Sequence, residues 1–256
     1  MKYVTVVRDD NTSKKVEETI KSSLKITYDN DNPDYVIAIG GDGTIIKASH
    51  QYPDAIIFGI HTGHLGFYAN YTLDDINVLI NDINNNDFKV SNVDKISIFV
   101  NDGKEEKLFG SALNEITINT PLSAIAMDVS IDDNFFERFK GTGLCFSTPY
   151  GSTAYNKSLN GAVLDTSLNL IQMTEIAGIN SNAYRTLASP LVLDGRRIIK
   201  LDKFKNINKL YITIDYETHE MNNLESISVL SNGLSTKMAY HEYEDHLNRI
   251  KRTFLK

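Results

Sequence analysis

Two runs of small and hydroxyl-bearing residues carry the chemistry that this chain can do. The first is Gly40-Gly41-Asp42-Gly43-Thr44. It follows the unbroken apolar run Val36-Ile37-Ala38-Ile39 and precedes Ile45-Ile46-Lys47-Ala48-Ser49-His50. This reads as a buried strand, a glycine turn and the start of a helix. Glycines let backbone approach a ligand, and a helix start offers unpaired N–H groups and a positive dipole end, so the turn suits phosphate. Asp42 is the exception, because a carboxylate repels phosphate. It makes sense there if it binds a metal ion or acts on a hydroxyl. The run fits neither a P-loop, since no Gly-Lys-Ser/Thr follows, nor the dinucleotide pattern G-x-G-x-x-G. The plain alternative is a tight turn with Asp42 as a helix cap.

The second run lies within residues 141–161, where an apolar strand ends in Ser147-Thr148-Pro149 and Gly151-Ser152-Thr153 opens a helical piece. Hydroxyls and free N–H groups at a helix start make a second cradle, for an anion or a nucleobase. The pattern G-x-S-x-G is absent and no His/Asp partners are apparent, so serine hydrolysis is a poor reading. Cys145 sits inside the apolar strand and reads as a buried, inert thiol.

Two shorter stretches lie between these runs. His61-Thr62-Gly63-His64-Leu65-Gly66-Phe67 follows the apolar strand at 55–60, which places it on the sheet edge where open α/β sheets bind ligands. Its two histidines invite a metal, but no further His/Cys cluster supports one. A backbone path around a ligand, with Phe67 or Tyr68 against a ring, is the better reading. Asn114-Glu115 opens the strand at Ile116. An amide beside a carboxylate suits sugar hydroxyls, and a solvated strand end fits equally well.

The elements that must position these stretches alternate at first between strand and helix. Strands are expected at 3–7, 36–39 and 55–60, with helices at 12–24 (capped by Thr12 or Ser13), after Gly43 and at 73–84 (capped at Thr72). That order argues an α/β domain built on an open, mostly parallel sheet. From about residue 93 the pattern turns to period two, at 95–100, 112–119, 126–132, 135–139, 197–201, 210–216 and 224–230. Helical pieces are expected at 152–159 and 168–178. The second domain is therefore a mostly antiparallel β domain. A terminal helix over 241–254 is expected to pack back on the first domain. The expected division is 1–94 plus 240–256 for the α/β nucleotide-binding domain, and 95–239 for the β domain.

Composition sets the outer limits. The chain has 256 residues, 41% of them hydrophobic and 23% charged, which is ordinary for a globular protein with a real core. Its net charge of −7 gives no global basic field to hold nucleic acid. An anionic substrate must be held by local N–H groups, a few Lys or Arg, or a metal. The single cysteine excludes an internal disulfide and suits a reducing compartment. No signal peptide or membrane-length apolar run is visible, so a soluble cytoplasmic protein without membrane association is expected.

The motifs together closely resemble the NAD kinase family. The resemblance rests on Gly40–Thr44, on Gly63-His64-Leu65-Gly66-Phe67, on Asn114-Glu115 and, most specifically, on Thr148-Pro149-Tyr150-Gly151-Ser152-Thr153-Ala154-Tyr155. It implies an N-terminal α/β domain and a C-terminal β-sandwich. It also implies transfer of the γ-phosphate of ATP, or a phosphate of polyphosphate, to the 2′-hydroxyl of the adenosine ribose of NAD. Mg²⁺ or another divalent cation would serve as cofactor, its ligands left open, and the protein would be a homodimer or homotetramer. By the same resemblance Asp42 is the catalytic carboxylate and Gly40, Gly41, Gly43 and Thr44 form the phosphate loop, with Gly43 also beside the dinucleotide. Phe67 and Tyr68 border the substrate. Asn114 and Glu115 bind adenine and ribose hydroxyls. Thr153, Ala154, Tyr155 and Ser158 cradle the adenosine end, and Ala177 lines the nicotinamide pocket.

Lys140 and Asp215 occupy family positions near the dinucleotide, Lys140 suited to phosphate. Two departures stand out. Thr142 replaces a usual family Asp, which removes a charge from the dinucleotide site, and Tyr216 stands where some relatives carry His. Two other readings stay open. One is a lipid kinase with the same glycine–aspartate loop. The other is a non-catalytic NAD(P)-binding protein.

Overall fold

A computed structural model describes residues 1–63, 66–121, 123–182, 184–205, 209–222 and 224–255. The chain divides into two compact units, Met1–Val93 with Ser235–Lys256, and Asp94–Leu234.

The first unit opens with β1 (Lys2–Val7), α1 (Asn11–Ser23), β2 (Thr27–Tyr28), β3 (Tyr35–Gly40), α2 (Asp42–Gln51), β4 (Ile56–His61), α3 (Ile76–Asn85) and β5 (Lys89–Asp94). β1 pairs in parallel with β2 and β3, and β3 with β4. Every residue of β3 is buried, which is why its sequence is apolar without alternation. Ile37 and Ile39 point to one face, where they join Phe58 and Ile60, Val16 and Ile20 of α1, and Leu79, Ile80 and Ile83 of α3. The other face takes α2, whose Ile45 side chain occupies the space over Gly59. Each such aliphatic side chain contributes roughly 1.5–3 kcal/mol when buried. The two layers therefore fix where β3 delivers Gly40.

Helix caps differ from expectation. α1 is capped by Asp10, whose carboxylate accepts the Ser13 N–H at 2.9 Å. α3 starts after Asp75, and Thr72 donates to the Asp75 carboxylate from both its N–H and its hydroxyl, so Thr72 is not the cap.

The second unit runs β6 (Ile96–Asn101), β7 (Glu106–Ala112), β8 (Glu115–Asn119), β9 (Ile125–Ile131), β10 (Asn134–Gly141), β11 (Gly143–Ser147), a 3₁₀ turn (Gly151–Thr153), α4 (Tyr155–Ser158), β12 (Leu170–Ile176), β13 (Leu191–Asp194), β14 (Ile199–Lys205), β15 (Leu210–Ile214), β16 (Glu217–Met221) and β17 (Ser226–Leu230). These form two six-stranded antiparallel sheets, β10-β9-β14-β17-β6-β7 and β13-β12-β11-β8-β15-β16. Their inner faces share one core, in which Ile98, Val129 and Ile227 of the first sheet join Ile116, Leu144 and Ile171 of the second. This is a β-sandwich. The chain crosses from one sheet to the other at Thr142, the single residue between β10 and β11.

The helix expected at 168–178 is instead the strand β12. Leu, Gln, Met and Glu in this segment are good helix formers, but tertiary burial overrides that propensity. Ile171 and Met173 enter the sandwich core, while Gln172 and Thr174 are buried on the other face. There Gln172 pairs with both main-chain groups of Ala162, and Thr174 donates to Asn156 at 2.7 Å. The helix expected at 152–159 shrinks to a 3₁₀ turn and one turn of α-helix.

β18 (Ser235–Tyr240) and α5 (His246–Phe254) return to the first unit. β18 lies parallel to β4 and completes the sheet order β2-β1-β3-β4-β18-β5. No helix among the described residues is long and apolar enough to cross a membrane.

Candidate active site

β3 ends at Gly40, and α2 begins at Asp42 with Gly41 as its N-cap. The Asp42 carboxylate turns back over the neighbouring loop. Oδ2 accepts the Phe67 N–H at 2.8 Å and Oδ1 the Tyr68 N–H at 3.1 Å. Gly66 makes this approach possible, because a Cβ there would lie 2.2 Å from Oδ1 and 2.4 Å from Oδ2. Asp42 is therefore held at both oxygens by main chain, half-buried at the first turn of a helix. It does not cap the helix with its own side chain. Gly43 is exposed, with open space where a Cβ would stand. Thr44 N–H and Ile45 N–H close the turn onto the Gly41 carbonyl. His64 and Leu65 of the expected second loop lie outside the described residues.

Sequence reasoning missed the cation beside this loop. Arg8 follows β1, and its N–H donates to the Ile39 carbonyl at 2.9 Å. Its guanidinium lies beside Gly41 and Gly63, whose Cβ positions would be 3.9 and 3.4 Å from Nη1. Asp10 pairs with its Nε and Thr62 accepts from its Nη2, while Ser13 Oγ and Thr62 Oγ1 are 2.8 Å apart. A polar network from the β1–α1 loop, the first turn of α1 and the loop after β4 thus orients one guanidinium at the mouth of the glycine turn. The available signal was topological: β1, β3 and β4 are parallel strands that end at Val7, Gly40 and His61, so the residues that follow them, Arg8 among them, share one sheet edge.

In the second unit the chemistry gathers at the start of β8. The Asp215 carboxylate accepts N–H groups from Leu113 at 3.0 Å, Asn114 at 2.8 Å and Glu115 at 3.4 Å. The Thr148-to-Thr153 run packs on the same corner. Thr148 N–H donates to the Asn114 carbonyl, and Thr148 Oγ1 donates to Leu113 O and accepts from Gly151 N–H. A Cβ on Gly151 would fall 2.0 Å from the Asn114 carbonyl oxygen, so only glycine permits this contact. The hydroxyls expected to face a ligand are used internally. Ser152 donates to Pro149 O at 2.6 Å and Thr153 to Tyr150 O at 3.1 Å. With α4 a single turn, its dipole is slight as well. The cradle is a rigid backbone corner more than a row of free hydroxyls.

Glu115 is the electrostatic centre of that corner. Burial pushes its carboxyl up to about 8, the Asp215 carboxylate adds to the rise, and a bond from the Tyr155 N–H opposes it. At neutral pH a carboxyl raised this far holds its proton and can donate a hydrogen bond. Its Oε2 is buried without a hydrogen-bond partner among the described residues. Tyr155 and Ser158 are exposed and Ala154 is half-buried beside them.

Lys140, Thr142 and Ala177 meet at the sheet crossing. Thr142 N–H donates to Ile176 O at 2.9 Å, and the Lys140 carbonyl accepts from Ile179 N–H at 2.7 Å. Ala177 adopts the left-handed region at φ +47°. The Lys140 ammonium lies 4.7 Å over the Tyr184 ring, a cation–π contact that competes with any phosphate. Cys145 is buried in β11, where burial pushes its thiol up and away from reactivity, as expected.

The chain thus joins an α/β unit with a glycine–carboxylate turn at its strand ends to a β-sandwich with a second glycine corner. Residues 4–88 match the ATP-NAD kinase N-terminal domain and residues 113–237 the ATP-NAD kinase C-terminal domain. The chain belongs to the ATP-NAD kinase family. It is 37% identical over 266 residues to NAD kinase 1 of Oceanobacillus iheyensis, covering 100% of this chain and 98% of that protein. It is 39% identical over 237 residues to the NAD kinase of Staphylococcus aureus, covering 89% and 87%. Its fold is similar to that of yeast NADH kinase complexed with NADH, with TM-score 0.84, 16% identity and coverage of 100% and 87%. It is also similar to an NAD kinase from Archaeoglobus fulgidus in complex with ATP, with TM-score 0.76, 20% identity and coverage of 98% and 97%.

Proposed function

We propose that this protein is an NAD kinase that phosphorylates the 2′-hydroxyl of the adenosine ribose of NAD, with ATP or polyphosphate as donor. The observation that carries the reading is the Asp42 carboxylate, fixed at both oxygens by main-chain N–H groups at the head of a glycine turn. Phosphoryl transfer asks a protein mainly for positioning and charge stabilisation. The glycine turn and Arg8 receive the donor phosphates. Asp42 accepts the proton of the attacking ribose hydroxyl as the new O–P bond forms and the bond from the γ-phosphorus to the leaving oxygen breaks, which releases ADP. Asn114, Glu115 and Tyr155 hold the adenosine, with Thr153, Ala154 and Ser158 around it. Phe67 and Tyr68 border the substrate, and Lys140, Thr142 and Ala177 border the rest of the dinucleotide. Asp215 holds the turn that presents Asn114 and Glu115.

Among the described residues no group of three His, Cys, Asp or Glu side chains is placed to hold a metal ion. Mg²⁺ typically comes with substrate phosphates and needs only one or two carboxylates, and the lone Asp42 suits that mode. The cation, when bound, would neutralise charge on the transferred phosphate, with Asp42 as its protein carboxylate. A cytoplasmic homodimer or homotetramer belongs to the same reading and is open to test by sedimentation.

The test is NADP formation by purified protein supplied with Mg²⁺, NAD and either ATP or polyphosphate. NADP from one donor or both is the expected result. Folded protein that binds NAD yet forms no NADP with either donor overturns the proposal in favour of a non-catalytic binder.

A further inference from the structure

α5 is one helix of the first unit to which the family motifs assign no part in chemistry. Its Arg249 is only 5% exposed. Nη1 donates to the Phe67 carbonyl at 2.6 Å and to the Ala69 carbonyl at 3.1 Å, and Nη2 to Asn70 Oδ1 at 2.5 Å. Glu244 lies 3.4 Å from its Nε and steadies it. The Phe67 ring packs on the same helix, stacked with Phe254 at 5.9 Å and tilted against His246 at 5.5 Å.

One peptide group stands at the centre of these contacts. The carbonyl of Phe67 and the N–H of Tyr68 belong to the same planar unit, in which the two dipole ends point in opposite directions. Its oxygen faces Arg249 and its N–H faces Asp42 Oδ1. Rotation of this unit would turn a carbonyl oxygen onto the Asp42 carboxylate. The guanidinium opposes that rotation, and it polarises the N–H that Asp42 receives. An arginine suits the task because its planar fork reaches several oxygens at once from a fixed position.

We propose that Arg249 is a positioning residue for the phosphoryl-transfer step, which acts on Asp42 through the Phe67–Tyr68 peptide group. This rests on the assignment of Asp42 as the base.

The experiment is a double-mutant cycle on full-length enzyme, with Arg249→Met and Asp42→Asn, read as kcat and KM for NAD and ATP. Arg249→Met alone is expected to lower kcat at least 10-fold. In the Asp42→Asn background the same change is expected to alter kcat less than twofold, because the carboxylate it acts on is gone. Arg249→Lys, which keeps the charge and loses the fork, is expected to recover only part of the loss. Should Arg249→Met fail to fold, Glu244→Gln loosens the same guanidinium. It is expected to lower kcat two- to fivefold, again only when Asp42 is present.

Equal factors in the two backgrounds overturn the inference and leave a structural role for Arg249, as does wild-type kcat in Arg249→Met. A wild-type kcat in Asp42→Asn overturns the assignment of Asp42 itself. The two failures are therefore told apart.

Discussion

Asp215 and Asn114 stand 101 positions apart in the chain, yet the Asp215 carboxylate accepts the Asn114 main-chain N–H at 2.8 Å. The same carboxylate takes the N–H groups of Leu113 and Glu115, and Asp215 itself sits in the left-handed region at φ +52°. Short polar side chains tolerate that region better than most. One residue thus both turns the chain after β15 and anchors the start of β8. Asp215→Asn leaves an amide in place of a full carboxylate and weakens charge-assisted bonds of roughly 1.5–3 kcal/mol each. The expected outcome is a KM for NAD raised about tenfold, the equivalent of 1.4 kcal/mol, with a smaller fall in kcat. A kinetic comparison at saturating ATP checks it, and an unchanged KM counts against this anchoring role.

Glu115 should leave a signature in stability against pH. Its folded-state pKa, about 8, lies above its ordinary value of 4.5. A carboxyl with a raised folded pKa stabilises most below its unfolded pKa and loses that contribution as pH rises through the folded value. Glu115→Gln cannot ionise and escapes that loss. Relative to wild type, the variant should gain more than about 1 kcal/mol between pH 5 and pH 9 in urea unfolding without ligand. A difference that stays constant across this range would show that Glu115 ionises normally.

Gly66 offers a steric test of the Asp42 geometry. An added methyl would collide with all three terminal atoms of the Asp42 side chain, at 2.2 to 2.4 Å. Gly66→Ala should displace the carboxylate from the Phe67 and Tyr68 N–H groups. Activity is expected to fall about 10²-fold, the scale of a general-base contribution, while circular dichroism stays native. Wild-type turnover in this variant would mean that the observed carboxylate position is not the reactive one.

Arg8 should affect one substrate and not the other. Its guanidinium lies beside the glycine turn and belongs to the first unit. Arg8→Ala is expected to raise KM for ATP about tenfold, leave KM for NAD within twofold and reduce the salt dependence of ATP affinity. Equal changes in both KM values would assign Arg8 to structure alone.

The parts of the fold that could be read from sequence are those where one physical rule acts alone. β3 is buried on both faces, so Val36 to Ile39 is uniformly apolar and could only be an interior strand. β9 alternates because one face is core. β12 was illegible because Gln172 and Thr174 are buried polar residues satisfied by Ala162 and Asn156, so neither alternation nor uniform apolarity survives. At the site, Asp42 was visible from its odd company among glycines. Arg8 and Arg249 were not, since each looks like any charged residue on a helix or strand end. Their significance comes from contacts across the fold, Arg249 with the carbonyls of Phe67 and Ala69, 180 or more positions away. The hydroxyls of Ser152 and Thr153 were visible too, but sequence could not show that neighbouring carbonyls already occupy them.

β18 lies between β4 and β5 in the first sheet, although it is made only after the whole sandwich. During synthesis, β4 leaves the ribosome with a raw edge that waits for its neighbour. At about 5–20 residues per second, the wait lasts roughly 10–35 s. The sandwich has all its strands before the first unit does and can fold in that interval. Arg249 emerges later still, so the Asp42 loop acquires its clamp last. A nascent or C-terminally clipped chain would therefore carry a formed sandwich beside an unfinished kinase half, with an unpaired strand edge open to chaperones or to aggregation.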